Sequence, residues 1–234
     1  MAEEPNRWES VYRSKAESET SWFEDRPQVS LDLIAATGAT IDAAIVDVGA
    51  GASRLVDCLL EQGFHRITVL DLSHTALAKA RARLPDDASV EWVVANVLDW
   101  QPSEHFDVWR DRAAFHFLTD AADQEAYLQV MDRALVPGGH AIIGTFAPDG
   151  PEKCSGLPVA RYDAALLAER LGPDYRLIQS LMHDHHAPWG SLQQFTFGLF
   201  RKPDASDISL PDLPEQDRQA SLDHCGCRSS TTTG

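Results

Sequence analysis

Apolar residues along this chain fall in short runs that alternate with amphipathic stretches. Ala43-Ala44-Ile45-Val46 reads as a buried strand. The turn Asp47-Val48-Gly49-Ala50-Gly51-Ala52-Ser53 follows it. A helical run through Leu55, Val56, Leu59 and Leu60 comes next, reaching Gln62 with Gly63 as its C-cap. Arg66–Asp71 is a second strand and Thr75–Leu84 a helix stopped by Pro85. Val90–Ala95 and Phe106–Asp111 are further strands, and Asp123–Leu135 is the next helix. Pro137-Gly138-Gly139 turns into the strand His140–Phe146. Upstream, Arg7–Ala16 and Gln28–Thr37 read as helices, with Pro27 an early helix residue. The aromatic loop Ser21-Trp22-Phe23-Glu24 lies between them. After Pro148 come a helix at Tyr162–Leu171 and strands at Arg176–His183 and Gln193–Arg201. From Pro203 onward Asp, Ser, Pro and Gln dominate, which reads as a flexible tail. Alternating strands and helices predict an α/β fold with a doubly wound, mostly parallel sheet. Ligands in such sheets sit beyond the carboxyl ends of the strands. Asp47, Asp71, Asn96 and Asp111 all fall at or just past predicted strand ends, which points to one shared site.

The glycine turn narrows the ligand. Glycines let backbone come close to a nucleotide-like group, and the following helix N-terminus adds favourable polarity. A dinucleotide fingerprint would need a third glycine where Arg54 stands. A carboxylate at Asp47 would repel a pyrophosphate but attract a cation. S-adenosylmethionine, with an ammonium, a sulfonium and no phosphate, fits that preference.

Composition changes the picture in three ways. The net charge of −16 opposes binding to phosphate backbones, so a nucleic-acid partner is not expected. No apolar run approaches the ~20 residues of a membrane span. The start, Met1-Ala2-Glu3-Glu4-Pro5, lacks the basic and apolar regions of a signal peptide. The expectation is a soluble cytoplasmic protein without a membrane partner, monomeric or homodimeric. Cys58, Cys154, Cys225 and Cys227 are too few and too unevenly placed for a disulfide framework.

Over residues 6–202 the chain resembles the class I S-adenosylmethionine-dependent methyltransferases, whose sheet ends in an antiparallel strand. Asp47-x-Gly49-x-Gly51 looks like the family's first motif, with Ser53 in place of its third glycine. Asp71 matches the acid that binds the ribose hydroxyls, with Leu72 beside it. Asn96-Val97 matches the adenine contact, and Asp111 the position facing the methyl group and the acceptor. Leu135-Val136-Pro137-Gly138-Gly139 matches the turn into the fifth strand. A narrower similarity covers Trp8-Glu9-x-x-Tyr12-x-x-Lys15, Ser21-Trp22-Phe23 and Asp111-Arg112-Ala113-Ala114-Phe115-His116-Phe117-Leu118. It points to small bacterial enzymes between the thiol, halide and thiopurine methyltransferases and the small lysine methyltransferases. The resemblance implies a methyltransferase domain at 1–202, with a helical lid at 1–40 that closes Trp22 over the cofactor.

Each candidate has a plainer alternative. Asp47 could tie down its turn, Asp71 could cap the next helix unless Ser73 does, and Asn96 could be a turn residue. His116 could be a general base near neutral pH or a histidine packed under Phe115 and Phe117. Arg112 could pair with Asp111 or hold the acceptor. Cys154 could face the acceptor or be a small buried hydrophobe, and Arg161 could bind an anionic group or cap a helix. Trp8 and Tyr12 read equally as lid or core. His183 and His185 would share a strand face, but no third ligand is identifiable in the sequence, so no metal is expected. His224-Cys225-Gly226-Cys227 falls in the predicted tail.

The reaction expected is in-line methyl transfer from S-adenosylmethionine to a small molecule, first a thiol sulfur, leaving S-adenosylhomocysteine. The rivals are a protein lysine methyltransferase, a non-catalytic cofactor-binding module and a nicotinamide dehydrogenase. Asp47 and the missing third glycine argue against the last.

Overall fold

The computed structural model describes residues 4–204. The predicted tail, apart from Pro203 and Asp204, lies outside them, as do Cys225 and Cys227. Helices α1 (Glu4–Ser14) and α2 (Gln28–Ala36) precede β1 (Ala44–Val48), α3 (Leu55–Glu61), β2 (Arg66–Asp71), α4 (His74–Arg81) and β3 (Val90–Val94). Then follow β4 (Phe106–Arg112), α5 (Ala121–Ala134), β5 (Leu135–Phe146), β6 (Lys153–Cys154) and β7 (Leu157–Pro158). The chain closes with α6 (Ala164–Leu171), β8 (Arg176–His186) and β9 (Leu192–Arg201).

Seven strands form one sheet in the order β3-β2-β1-β4-β5-β9-β8. The first five are mutually parallel, and β9 runs antiparallel between β5 and β8. This is the doubly wound fold with an antiparallel last strand that the sequence predicts. The order reverses between β1 and β4, which opens a crevice at their carboxyl ends.

Every residue of β1 is buried, as expected for a central parallel strand covered on both faces. Successive side chains serve opposite layers. Ile45, Val108 and Ile142 pack with Leu55 and Leu59 of α3, whereas Val46, Trp109 and Ile143 pack with Tyr127 and Met131 of α5.

Two local readings differ. The Pro137-Gly138-Gly139 turn lies inside β5: Leu135 pairs with Phe106, Gly138 takes φ +80°, and regular pairing resumes at His140 opposite Val108. The hairpin β6–β7 and the 3-10 turn Phe115–Phe117 have too few residues to announce themselves through hydrophobic period.

Candidate active site

The crevice holds a cavity of about 150 Å³. Its floor comes from the ends of β1, β2 and β3, through Gly49, Asp71, Leu72, Asn96 and Val97. Trp8, Tyr12 and Trp22, from α1 and the loop before α2, form one wall, and Arg112, Ala113 and Cys154 another. Trp22 meets Trp8 edge-on at 5.9 Å and Tyr12 at 6.2 Å between ring centroids.

The glycine turn is close-packed. Gly49 and Gly51 have φ of +63° and +57°, where side chains are strained. A Cβ on Gly49 would strike the Ala114 side chain, and one on Gly51 would strike the Tyr12 hydroxyl. Gly49 borders the cavity. Gly51 does not, and its approach is to Tyr12.

Asp71 ties this turn to the next element. One carboxylate oxygen accepts from Gly51 N at 2.8 Å and the other from Ser73 N at 2.7 Å. Ser73 itself caps α4 by accepting from Ala76 N, so Asp71 is not used as that cap. Burial pushes the Asp71 carboxyl up to about 6. Asn96 accepts from Leu98 N at 3.1 Å, which fixes the turn after β3 while the residue stays on the cavity floor.

Several predicted site residues lie elsewhere. Asp47 is sealed under the sheet end, bound to Arg110 at 2.6 Å with both side chains 2% exposed. Its charge is answered inside the protein and does not face the cavity. The partner comes from strand register, since Asp47 and Arg110 are directly opposed on β1 and β4.

Asp111 points away from the cavity toward α5. It accepts from Tyr127 Oη at 2.6 Å and from the backbone N–H groups of Ala114 and Phe115, both at 2.9 Å. Burial raises its carboxyl to about 6. It anchors the turn in which Ala113 takes the uncommon φ of +66°. Asp111 is therefore a positioning residue and does not face a methyl group.

His116 is fully buried, edge-on to Phe117 at 4.5 Å and Phe146 at 4.9 Å. Neither ring nitrogen makes a hydrogen bond, and burial drives its pKa down to about 3. It has no access to an acceptor, so the general-base role is withdrawn. Arg161 is also displaced: it donates to the carbonyls of Pro148 and Gly150 and does not border the cavity.

Arg112 and Cys154 do border it. Burial pushes the Cys154 thiol up to about 11, so it stays protonated at neutral pH. Arg112 pairs through Nη1 with Glu24 at 2.9 Å and lies over the Phe195 ring at 5.2 Å. Its Nε and Nη2 are buried and make no hydrogen bond. A smaller cavity, of about 40 Å³, adjoins the same guanidinium and Glu24. Glu24, Arg110 and Tyr127 were not foreseen as site residues; only the β1–β4 register carries a signal for one of them.

A crevice at the switch point, a carboxylate at the end of β2 and an aromatic cover define the class I S-adenosylmethionine-dependent methyltransferase architecture. The comparisons agree, and residues 45–139 match the family described as "Methyltransferase domain". Over those residues the chain is similar to methyltransferase domains, and its fold is the Rossmann-like methyltransferase fold.

Among its relatives is Nodulation protein S of Rhizobium tropici, 26% identical over 149 residues, or 64% of this chain and 62% of that protein. Trans-aconitate 2-methyltransferase of Rhizobium leguminosarum bv. trifolii is 33% identical over 54% of this chain and 47% of its own length. The chain thus spans less than two thirds of either relative. Solved structures share the fold. N-methyltransferase NodS from Bradyrhizobium japonicum WM9 with S-adenosylhomocysteine is 15% identical and covers 85% of this chain and 100% of its own, with TM-score 0.62. A structure described for the conversion of a disulfide bond into a thioacetal group in echinomycin biosynthesis is 20% identical. It covers 95% and 98%, with TM-score 0.67. No helix among the described residues is long and apolar enough to cross a membrane.

Proposed function

We propose that this chain transfers the methyl group of S-adenosylmethionine to a small acceptor that carries a carboxylate, held by Arg112. The observation that carries the reading is Arg112 itself: it borders the cavity, and its Nε–Nη2 edge is buried with no hydrogen bond. That edge matches the two oxygens of a carboxylate, which it binds through paired charge-assisted bonds. Leaving such donors buried and unmet is unfavourable, and an anionic acceptor would meet them.

The residues also fit the donor. Asp71 is positioned to accept from ribose hydroxyls, Leu72, Asn96 and Val97 to border an adenine, and the Trp22 and Tyr12 rings to face a cation. When bound, S-adenosylmethionine supplies an electrophilic methyl group. The protein aligns the acceptor behind it and excludes water. The new bond forms to the nucleophile as the carbon–sulfur bond breaks, and the electron pair stays on the sulfur of S-adenosylhomocysteine.

Among the described residues no histidine borders the cavity, and Asp71 is engaged by two backbone N–H groups. An acceptor that needs no strong base suits this site. A thiolate is the first choice. A second carboxylate is the alternative, favoured by the relatedness to a trans-aconitate methyltransferase.

The test is S-adenosylhomocysteine formation with mercapto acids, di- and tricarboxylates, simple thiols, amines and purified protein, comparing wild type with Arg112→Met. The expected result is turnover on an acid, with its KM raised ~10–100-fold in the variant and the KM of S-adenosylmethionine little changed. Turnover confined to protein would replace this reading with lysine methylation. Cofactor binding without turnover on any acceptor would replace it with a binding module.

A further inference from the structure

Strand β8 ends in His183-Asp184-His185-His186. Alternation puts His183 and His185 on one face and Asp184 and His186 on the other. The first face meets Glu24, in the loop that carries Trp22. His183 Nε2 lies 3.6 Å and His185 Nδ1 3.4 Å from the same oxygen, Glu24 Oε1. All three donor atoms lie within 4.8 Å of one another.

We infer that Glu24, His183 and His185 form a site for a divalent transition-metal ion of the zinc class. This third ligand is what the sequence alone withheld, and it reverses the expectation of no metal.

Three features of the geometry support it. First, the separations exceed the ~2.7–2.9 Å of charge-assisted hydrogen bonds. They match the ~3.3 Å edge of a tetrahedron whose ligand bonds are ~2.0–2.1 Å.

Second, the tautomer of His185 is set. Its Nε2 lies 2.6 Å from the Ser21 carbonyl oxygen, which can only accept. That nitrogen therefore carries a proton, and in the neutral ring Nδ1 turns a lone pair toward Glu24. A lone pair facing a carboxylate oxygen calls for a cation between them. A histidine that donates its other N–H to a backbone carbonyl is the arrangement metal-ligating histidines adopt.

Third, the donors are braced. Glu24 Oε2 receives Arg112 Nη1 at 2.9 Å, so Oε1 stays directed at the histidines. The His183 and His185 rings rest edge-on to Phe197 and Phe195 at 6.3 and 6.2 Å. His183 is 31% exposed, which gives an ion a route in and leaves room for a water as fourth ligand. An ion there would staple the Trp22 loop to β8.

The test uses the full chain with Cys225→Ser and Cys227→Ser, which removes the thiols that would compete for metal. The protein is stripped with a chelator, then titrated with Zn²⁺ alone by calorimetry and with Co²⁺ by visible absorption. One ion per chain is expected. Affinity should fall by more than ~100-fold in His183→Ala and in His185→Ala, beyond the ~10–100-fold typical of losing an outer-shell partner. His186→Ala should bind as the parent does. Circular dichroism confirms folding, and the partly exposed His183 is the substitution safest for it. No binding by the parent, or binding in the His183 and His185 variants as tight as the parent's, would overturn the inference. The outcome does not depend on which acceptor the chain methylates.

Discussion

Truncating Asp47 to alanine should unfold this protein far more readily than it weakens cofactor binding. The Asp47–Arg110 pair is buried on both sides, with Nη1 to Oδ1 at 2.6 Å. The remaining Arg110 donors reach only Ser30 Oγ on α2, at 2.9 and 3.2 Å. In Asp47→Ala the guanidinium cannot lose its proton and cannot reach water. Breaking a buried pair from one side costs about 3–5 kcal/mol. Domains of this kind are stable by about 5–15 kcal/mol, so the loss is a large share. With a urea slope of roughly 2 kcal/mol/M, the midpoint should fall by about 1.5–2.5 M. Replacing both partners, as in Asp47→Leu with Arg110→Met, should recover most of that loss, because an apolar pair leaves no charge behind. The assay is urea unfolding followed by circular dichroism, with calorimetric titration of S-adenosylhomocysteine under conditions where each variant is folded. A stability change under about 1 kcal/mol together with a hundredfold loss of affinity would refute the reasoning and return Asp47 to the cofactor.

Three further outcomes follow from the site. His116→Phe should leave kcat within about twofold and stability equal or higher by ~1 kcal/mol, since the replacement removes two unmet nitrogens. Its folded pKa of about 3 lies below the usual 6.5, so the unfolded chain binds the extra proton between those values. Wild type should therefore lose stability as pH falls below about 6.5, and His116→Phe should lose less, in urea midpoints compared at pH 5 and 7.5. Asp71, raised to about 6, has the opposite sign: its contribution to stability is present below the unfolded value and is lost as pH rises through about 6. The ionised form is the one suited to accept ribose hydroxyls, so S-adenosylhomocysteine affinity by calorimetry should fall on acidification through about 6, and Asp71→Asn should bind weakly at every pH. Gly51→Ala should cost more than Gly38→Ala in chemical denaturation. Both have positive φ, worth ~1–2 kcal/mol of strain, but only at Gly51 does the new Cβ strike a side chain, the Tyr12 hydroxyl.

What the sequence shows and hides here divides by distance along the chain. The apolar runs reveal β1 to β5: burial on both faces gives β1 and β2 nearly unbroken hydrophobic runs, while β3, at the sheet edge, is only partly buried. The glycine turn and the Ser73 cap are legible because caps and turns are local chemistry. The direction of Asp111 was readable in principle. Trp109 packs on Tyr127 of α5, and two residues on, the same face carries Asp111 to the Tyr127 hydroxyl. Long-range charge is what no local pattern supplies. Asp47 finds Arg110 63 residues away, Arg112 finds Glu24 88 away, and His185 finds Ser21 164 away.

Those pairings decide the character of the site. Four polar residues converge on the strand ends, and a sequence reading assigns Asp47 to the cation of the ligand, Asp71 to the ribose and Asp111 to the methyl group and the acceptor. In the fold Arg110 neutralises Asp47, and the Tyr127 hydroxyl and two backbone N–H groups occupy Asp111. Asp71 stays on the floor, while Arg112, with two buried nitrogens that make no hydrogen bond, borders the wall. The cavity lining therefore combines a carboxylate with a guanidinium, which suits the function proposed above. A cationic methyl donor and an anionic acceptor can lie side by side there, each facing a group of opposite charge. Removing one end tests that asymmetry. Arg112→Gln should sharply lower turnover of an acidic acceptor while S-adenosylhomocysteine binding persists, because it removes the guanidinium charge without setting a second carboxylate beside Glu24.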